Sequence, residues 1–219
     1  TALQPASYFD GLFRLLWQQW GGRIDGPMGN ATAPSDRAPF ATWRSPPLAE
    51  VIRPMNKWSN NAMADALLLS LAARDGGPPA TLERGAAAVA GWMREAGIET
   101  DGFVLENGSG LSRTSRISAA TMVGLLRHGW AGPYMPEFVA SLPLVGMDGT
   151  ARRHFVRGPE RGRMHLKSGH LGDVVGVGGY VLAESGRMYA VAVLTQGPNV
   201  NNGSGQGLIN AVLAWTYRQ

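Results

Sequence analysis

The order of elements predicts an α/β fold: a sheet region with a mostly helical middle inserted into it. Two observations carry that prediction. Successive segments between residues 48 and 141 show apolar residues at helical spacing, punctuated by Gly and Pro. The last third changes character, with Val- and Tyr-rich runs at Val174 to Leu182 and Arg187 to Thr195. The Glu184-Ser185-Gly186 turn joins these as a β-hairpin.

In chain order, Ser7 to Trp20 reads as a helix. Tyr8, Leu12, Leu16 and Trp20 form one row, Phe9, Phe13 and Trp17 the next, and Gly21-Gly22 ends it. Residues 22–46 are rich in Gly, Pro and Asn, with short extended pieces such as Phe40 to Arg44. Leu48 to Trp58 is predicted helical, broken or kinked at Pro54. Asn60 to Arg74 and Ala80 to Ala96 are further helices, stopped by Asp75-Gly76-Gly77-Pro78 and by Gly97. Phe103 to Leu105 is a short strand before the turn Glu106-Asn107-Gly108-Ser109-Gly110. Helices follow from Ser118 to about His128 and from Met135 to Ser141, then a strand at Met164 to Ser168. Gly207 to Tyr217 closes the chain as a helix with the apolar stripe Leu208, Val212 and Trp215.

The 219 residues suffice for one large domain or two small ones, and 44% hydrophobic content permits a substantial core. No apolar run reaches the ~18 residues of a membrane span. Ala62 to Ala73 is shorter, contains Asp65, and reads as a core helix. A net charge of +4 and a pI near 9.8 suit an anionic partner: nucleic acid, a membrane surface or an anionic cell-wall polymer. The basic residues concentrate at Arg152, Arg153, His154, Arg157, Arg161, Arg163 and His165. Without interleaved aromatics these read as a solvated loop, or as a basic rim for an acidic substrate, and not as a nucleic-acid surface. The absence of cysteine excludes disulfides, thiol catalysis and Cys-ligated metal. His128, His154, His165 and His170 follow no metal-binding pattern and read as surface residues. Gly176-x-Gly178-Gly179 precedes a strand instead of opening a helix, so it is no nucleotide-binding turn; neither metal nor cofactor is expected.

Two polar motifs stand out. In Ser59-Asn60-Asn61, Ser and Asn are the usual helix-capping types, and a helix follows at once. Residues 59 and 61 can equally point into one cleft, the hydroxyl relaying a proton and the amide binding a substrate carbonyl. Lys167-Ser168-Gly169 reads singly as a strand end. On an edge strand, Lys167 would lower the pKa of a neighbouring hydroxyl and Ser168 would bind a carboxylate. Gly169 would admit a substrate backbone, and the next N–H would polarise a carbonyl.

Their surroundings connect them. Met55-Asn56-Lys57-Trp58-Ser59-Asn60-Asn61-Ala62-Met63-Ala64-Asp65 resembles the second-motif region of the class C low-molecular-mass penicillin-binding proteins, the D-alanyl-D-alanine carboxypeptidase/endopeptidase family. Glu106 to Ser112 resembles that family's Gly-Ser-Gly-Leu-Ser turn. Leu142 to Thr150, Lys167 to Leu171 and Gly178 to Val181 follow in the family's order. The resemblance implies a β-lactamase/transpeptidase-like fold: an antiparallel sheet flanked by helices, with a helical subdomain near 45–150 and a sheet-side subdomain from 1–44 and 151–219. It assigns Ser59 and Asn61 to Ser-x-Asn, and Lys167, Ser168 and Gly169 to Lys-Thr-Gly with Ser in place of Thr. The His170 N–H becomes an oxyanion donor.

The family's Ser-x-x-Lys, which carries the nucleophile, is absent from these residues. The resemblance therefore implies the C-terminal part of one penicillin-binding domain with an incomplete sheet, inactive alone, and pairing with the remaining segment or with itself. Its implied partners are peptidoglycan stem peptides and β-lactams, its implied location the periplasm or cell envelope. A non-catalytic cell-wall or partner-binding module and a β-lactamase are the alternative readings.

Overall fold

A computed structural model describes residues 4–32 and 34–219. The chain divides into one unit, Thr1–Arg44, and a larger one, Ser45–Gln219.

In the first unit, α1 (Pro5–Gln19) opens with Pro, whose fixed φ suits a first helical turn. It starts two residues before the predicted Ser7. Phe9, Phe13 and Trp17 stack along it, with ring centroids 6.3 and 6.1 Å apart. Arg14 pairs with Asp10 and donates to the carbonyls of Ile24 and Gly26, folding the following segment back along the helix. Phe40 to Arg44 forms no strand.

The second unit begins with α2 (Leu48–Trp58), which runs through Pro54 unbroken. Helices α3 (Asn61–Gly76), α4 (Leu82–Glu95) and α5 (Ala119–Ala131) follow. Each has a side-chain N-cap: Asn60 accepts from the Met63 N–H, Thr81 from Arg84 and Ser118 from Thr121. The predicted strand at Phe103 to Leu105 reduces to a single bridge between Val104 and Arg116. Helix α6 (Met135–Ser141) spans the predicted residues.

Strands β1 (Met164–Leu171), β2 (Val174–Leu182) and β3 (Met188–Gln196) form an antiparallel sheet in the order β1-β2-β3. Side chains alternate across it. Val175, Val177, Val181 and Val191 pack with Ile209, Leu213 and Tyr217 of α7 (Ser204–Tyr217). Tyr180 packs with Leu126 and Leu142 in a second cluster, and its hydroxyl donates to the Leu126 carbonyl at 2.6 Å. Burial pushes that phenol up to about 12.

Of the stripe predicted for α7, only Val212 packs against the core. Leu208 and Trp215 are exposed, whereas Ile209, Leu213 and Tyr217 enter the core. The helix is apolar on most of its circumference, so spacing alone does not choose its buried face.

Candidate active site

The two motifs sit on elements of different kinds. At the end of α2 the Asn60 N–H bonds back to the Met55 carbonyl at 2.9 Å, and Ser59 takes up left-handed backbone, φ 56° and ψ 51°. A non-glycine residue there costs roughly 1–2 kcal/mol. The turn lets α3 start immediately, with Asn60 as cap and Asn61 as first helical residue. Capping thus belongs to the middle residue of the motif, leaving the flanking side chains free of that task. The Asn61 side chain is exposed and makes no hydrogen bond to another described residue.

Lys167 lies on β1 opposite Gly178. Its Nζ donates to Ser59 Oγ at 3.0 Å and to the Ser168 carbonyl at 2.7 Å. Residues 108 positions apart are thereby in direct contact. Burial pushes the Lys167 pKa below the ordinary lysine value. Ser168 points to the opposite face of the strand, lining a cavity with Leu166, Phe155, Gln206 and Asn210. Gly169 and His170 are exposed. The outer edge of β1 is covered only at its start: the Leu166 N–H reaches the Pro143 carbonyl at 2.8 Å, and the Val145 N–H reaches the Met164 carbonyl at 3.0 Å. Beyond Leu166 that edge makes no backbone hydrogen bond to another segment among the described residues. An extended peptide can pair there, alongside Lys167 and Ser59.

Several supporting groups escaped sequence reasoning. Asp65 Oδ1 accepts from the N–H groups of Gly108 and Ser109, at 2.8 and 2.9 Å, docking the 106–112 turn on α3. A Cβ at Gly108 would lie 2.2 Å from the Ala64 carbonyl oxygen, so the approach requires glycine. Lys57, two residues before Ser59, is almost wholly buried and binds both carboxylate oxygens of Asp148, at 2.9 and 2.7 Å. For Asp148, burial raises the pKa, but the Leu144 N–H and Lys57 outweigh it and hold the carboxyl below its usual range. His165 is not the surface residue expected from the sequence: its Nδ1 is buried and without a hydrogen-bond partner. Burial first, then the Lys57 charge, push its pKa down. Among the described residues no cluster of His, Asp and Glu could hold a metal ion.

The family model for the D-Ala-D-Ala carboxypeptidase 3 (S13) family matches residues 1–219. The chain belongs to this family. Among its relatives is the D-alanyl-D-alanine carboxypeptidase of Actinomadura sp. (strain R39), 29% identical over 205 residues, covering 90% of this chain and 38% of the relative. Another is carboxypeptidase DacB of Mycolicibacterium smegmatis, 30% identical over 182 residues, covering 80% of this chain and 38% of the relative. This S13 chain therefore spans about two fifths of the length of those curated relatives. Among solved structures it is similar to penicillin-binding protein 4 of Haemophilus influenzae in complex with a β-lactam. The TM-score is 0.84 at 22% identity, with 100% of this chain and 53% of that one covered. The helices and antiparallel sheet of the S13 chain thus have the fold of the penicillin-binding peptidases.

Proposed function

We propose that this chain supplies two walls of the active site of a serine-type D-Ala-D-Ala carboxypeptidase/endopeptidase. Its substrates are peptidoglycan stem peptides in the cell envelope, and it forms an acyl-enzyme. The observation that carries this reading is the 3.0 Å contact between Lys167 Nζ and Ser59 Oγ, made by a half-buried lysine beside an uncovered strand edge.

In this reading a serine outside these residues attacks the D-Ala-D-Ala carbonyl. Ser59 passes a proton toward the leaving amine, and Lys167 orients that hydroxyl and steadies the charge developing beside it. Asn61 holds the substrate amide with its free side chain. Gly169 receives the peptide backbone at the strand edge, whereas Ser168, which lines the cavity on the other face of β1, is turned away from the Ser59–Lys167 contact and takes no part there. The His170 N–H is one oxyanion donor, a group whose loss typically costs about 3–4 kcal/mol in the transition state. Water then releases the acyl group.

The test is covalent labelling with a fluorescent penicillin, applied to the 219-residue chain and to the complete product of its reading frame. One equivalent of label is expected on the complete product and none on the chain alone. Stoichiometric labelling of the chain alone overturns the placement of the nucleophile. A complete product that takes no label overturns the acyl-enzyme reading.

A further inference from the structure

We propose that Lys57 and Asp148 form a positioning clamp that holds Ser59 against Lys167. The proposal rests on the reading of those two residues as catalytic, and it concerns groups to which that reading gives no role.

The clamp is a continuous path of contacts. Lys57 Nζ donates to the Leu142 carbonyl at 2.6 Å and to both oxygens of Asp148, so its bonds grip both ends of one turn. Asp148 Oδ1 also accepts from the Leu144 N–H at 2.7 Å, closing the turn on itself. The middle of that turn pairs with β1 through Pro143–Leu166 and Val145–Met164, one residue short of Lys167. On the helix side, Lys57 is two residues from Ser59. The Lys167–Ser59 hydrogen bond closes the ring. Neighbouring contacts run parallel: Asn56 Nδ2 donates to Ser141 Oγ at 2.7 Å, and Arg152 lies 5.7 Å over the Trp58 ring.

The choice of an ion pair here is informative. The Lys57 side chain is 12% exposed and that of Asp148 46%, so the pair desolvates the ammonium far more than the carboxylate, a cost that an apolar residue at position 57 would avoid. An apolar side chain at residue 57 could fill the space, but could not fix the 142–148 turn in one register relative to α2. The ion pair supplies direction, which is what two groups on separate elements need in order to meet at 3.0 Å.

Lys57 and Lys167 are the only lysines in these 219 residues, which provides a direct readout. In the complete reading-frame product, the rate of Lys167 acetylation by an amine-reactive ester is followed by peptide mass spectrometry in wild type, Lys57→Met, Asp148→Asn and Lys57→Arg. Penicillin acylation is resolved into its initial binding constant and its acylation rate constant. Thermal melting verifies that each variant is folded. Lys57→Met and Asp148→Asn are expected to raise Lys167 acetylation about fivefold or more. They should slow acylation about tenfold or more, with initial binding within about twofold of wild type. The double variant should do no more than the worse single one, and Lys57→Arg should retain most of the rate. Unchanged Lys167 acetylation in folded Lys57→Met overturns the clamp; if that variant does not fold, Asp148→Asn decides by the same criterion. Should wild type take no penicillin, the catalytic reading falls, while the acetylation rates still decide whether the clamp exists.

Discussion

Ser59 and Lys167 meet at 3.0 Å, yet they are held there by different means. Lys167 belongs to a strand whose position is set by a backbone ladder, residue by residue from Met164–Val181 to Leu171–Val174. Ser59 sits in a strained link between two helices, and side chains fix that link: Lys57 on Asp148, Asn56 on Ser141, Asn60 on α3. One wall of the site is built by generic backbone pairing, the other by specific residues. Substitutions at Lys167 should therefore change chemistry with little effect on the fold. Substitutions around Ser59 should change both.

The largest expected effect tests the strand side. Lys167→Met should lower penicillin acylation of the complete product by about 10²–10³-fold, the range for losing a group that stabilises charge in the transition state. The melting temperature should hold or rise, because the variant relieves a desolvated ammonium and leaves the ladder to Gly178 untouched. A marked loss of stability would show that Lys167 is a structural residue and erase the contrast.

Next comes the helix side. Gly149 has φ +55°, and a Cβ there would lie 2.5 Å from the Lys57 carbonyl oxygen, a backbone atom with no room to retreat. Gly149→Val should destabilise by about 3 kcal/mol or more, read from the urea midpoint. Across the site, a Cβ at Gly178 would meet Met122 Sδ at 2.6 Å, within a flexible side chain that can turn away. Gly178→Ala should cost only about 1 kcal/mol. Equal losses would mean that the two walls are equally rigid.

These differences also explain what the sequence could and could not reveal. Helix and strand positions follow from local periodicity and caps, so α6 and β2 coincide with the predicted residues. Pairing Ser59 with Lys167 came through motif order, since nothing local in either tripeptide distinguishes a cleft from a helix cap or strand end. Lys57 and Asp148 are separated by 91 positions, and Asp65 and Gly108 by 43. Lys57, Asp65 and Asp148 are ordinary surface-type charges in the sequence, so only folding shows which groups they meet and that Lys57 is largely removed from water. His165 followed the same pattern: its place in β1 was predicted, while its burial depends on the turn that packs beside it.

A smaller effect separates strain from chemistry at Ser59. Ser59→Gly removes the hydroxyl and also the left-handed penalty. Relative to Ser59→Ala it should be more stable by about 1 kcal/mol, while both acylate equally slowly. If Ser59→Gly matches Ser59→Ala in stability, the turn at the end of α2 is unstrained, and its unusual backbone has no bearing on how the site is assembled.

The smallest expected effect concerns the charge on Lys167. Its folded-state pKa lies below the unfolded value, so between the two the unfolded chain binds more protons than the native one. Stability contributed by this residue must therefore rise with pH across that window and level off once the unfolded lysine also loses its proton. Below the folded pKa both states hold the proton, and the full penalty of burying the charge applies. The difference in unfolding free energy between wild type and Lys167→Met, measured by urea titration from neutral pH upward, should shift in favour of wild type as the solution becomes alkaline. A flat difference would mean that water reaches Lys167 freely. The strand side of the site would then lack the dry environment that makes its contact with Ser59 more than an ordinary surface hydrogen bond.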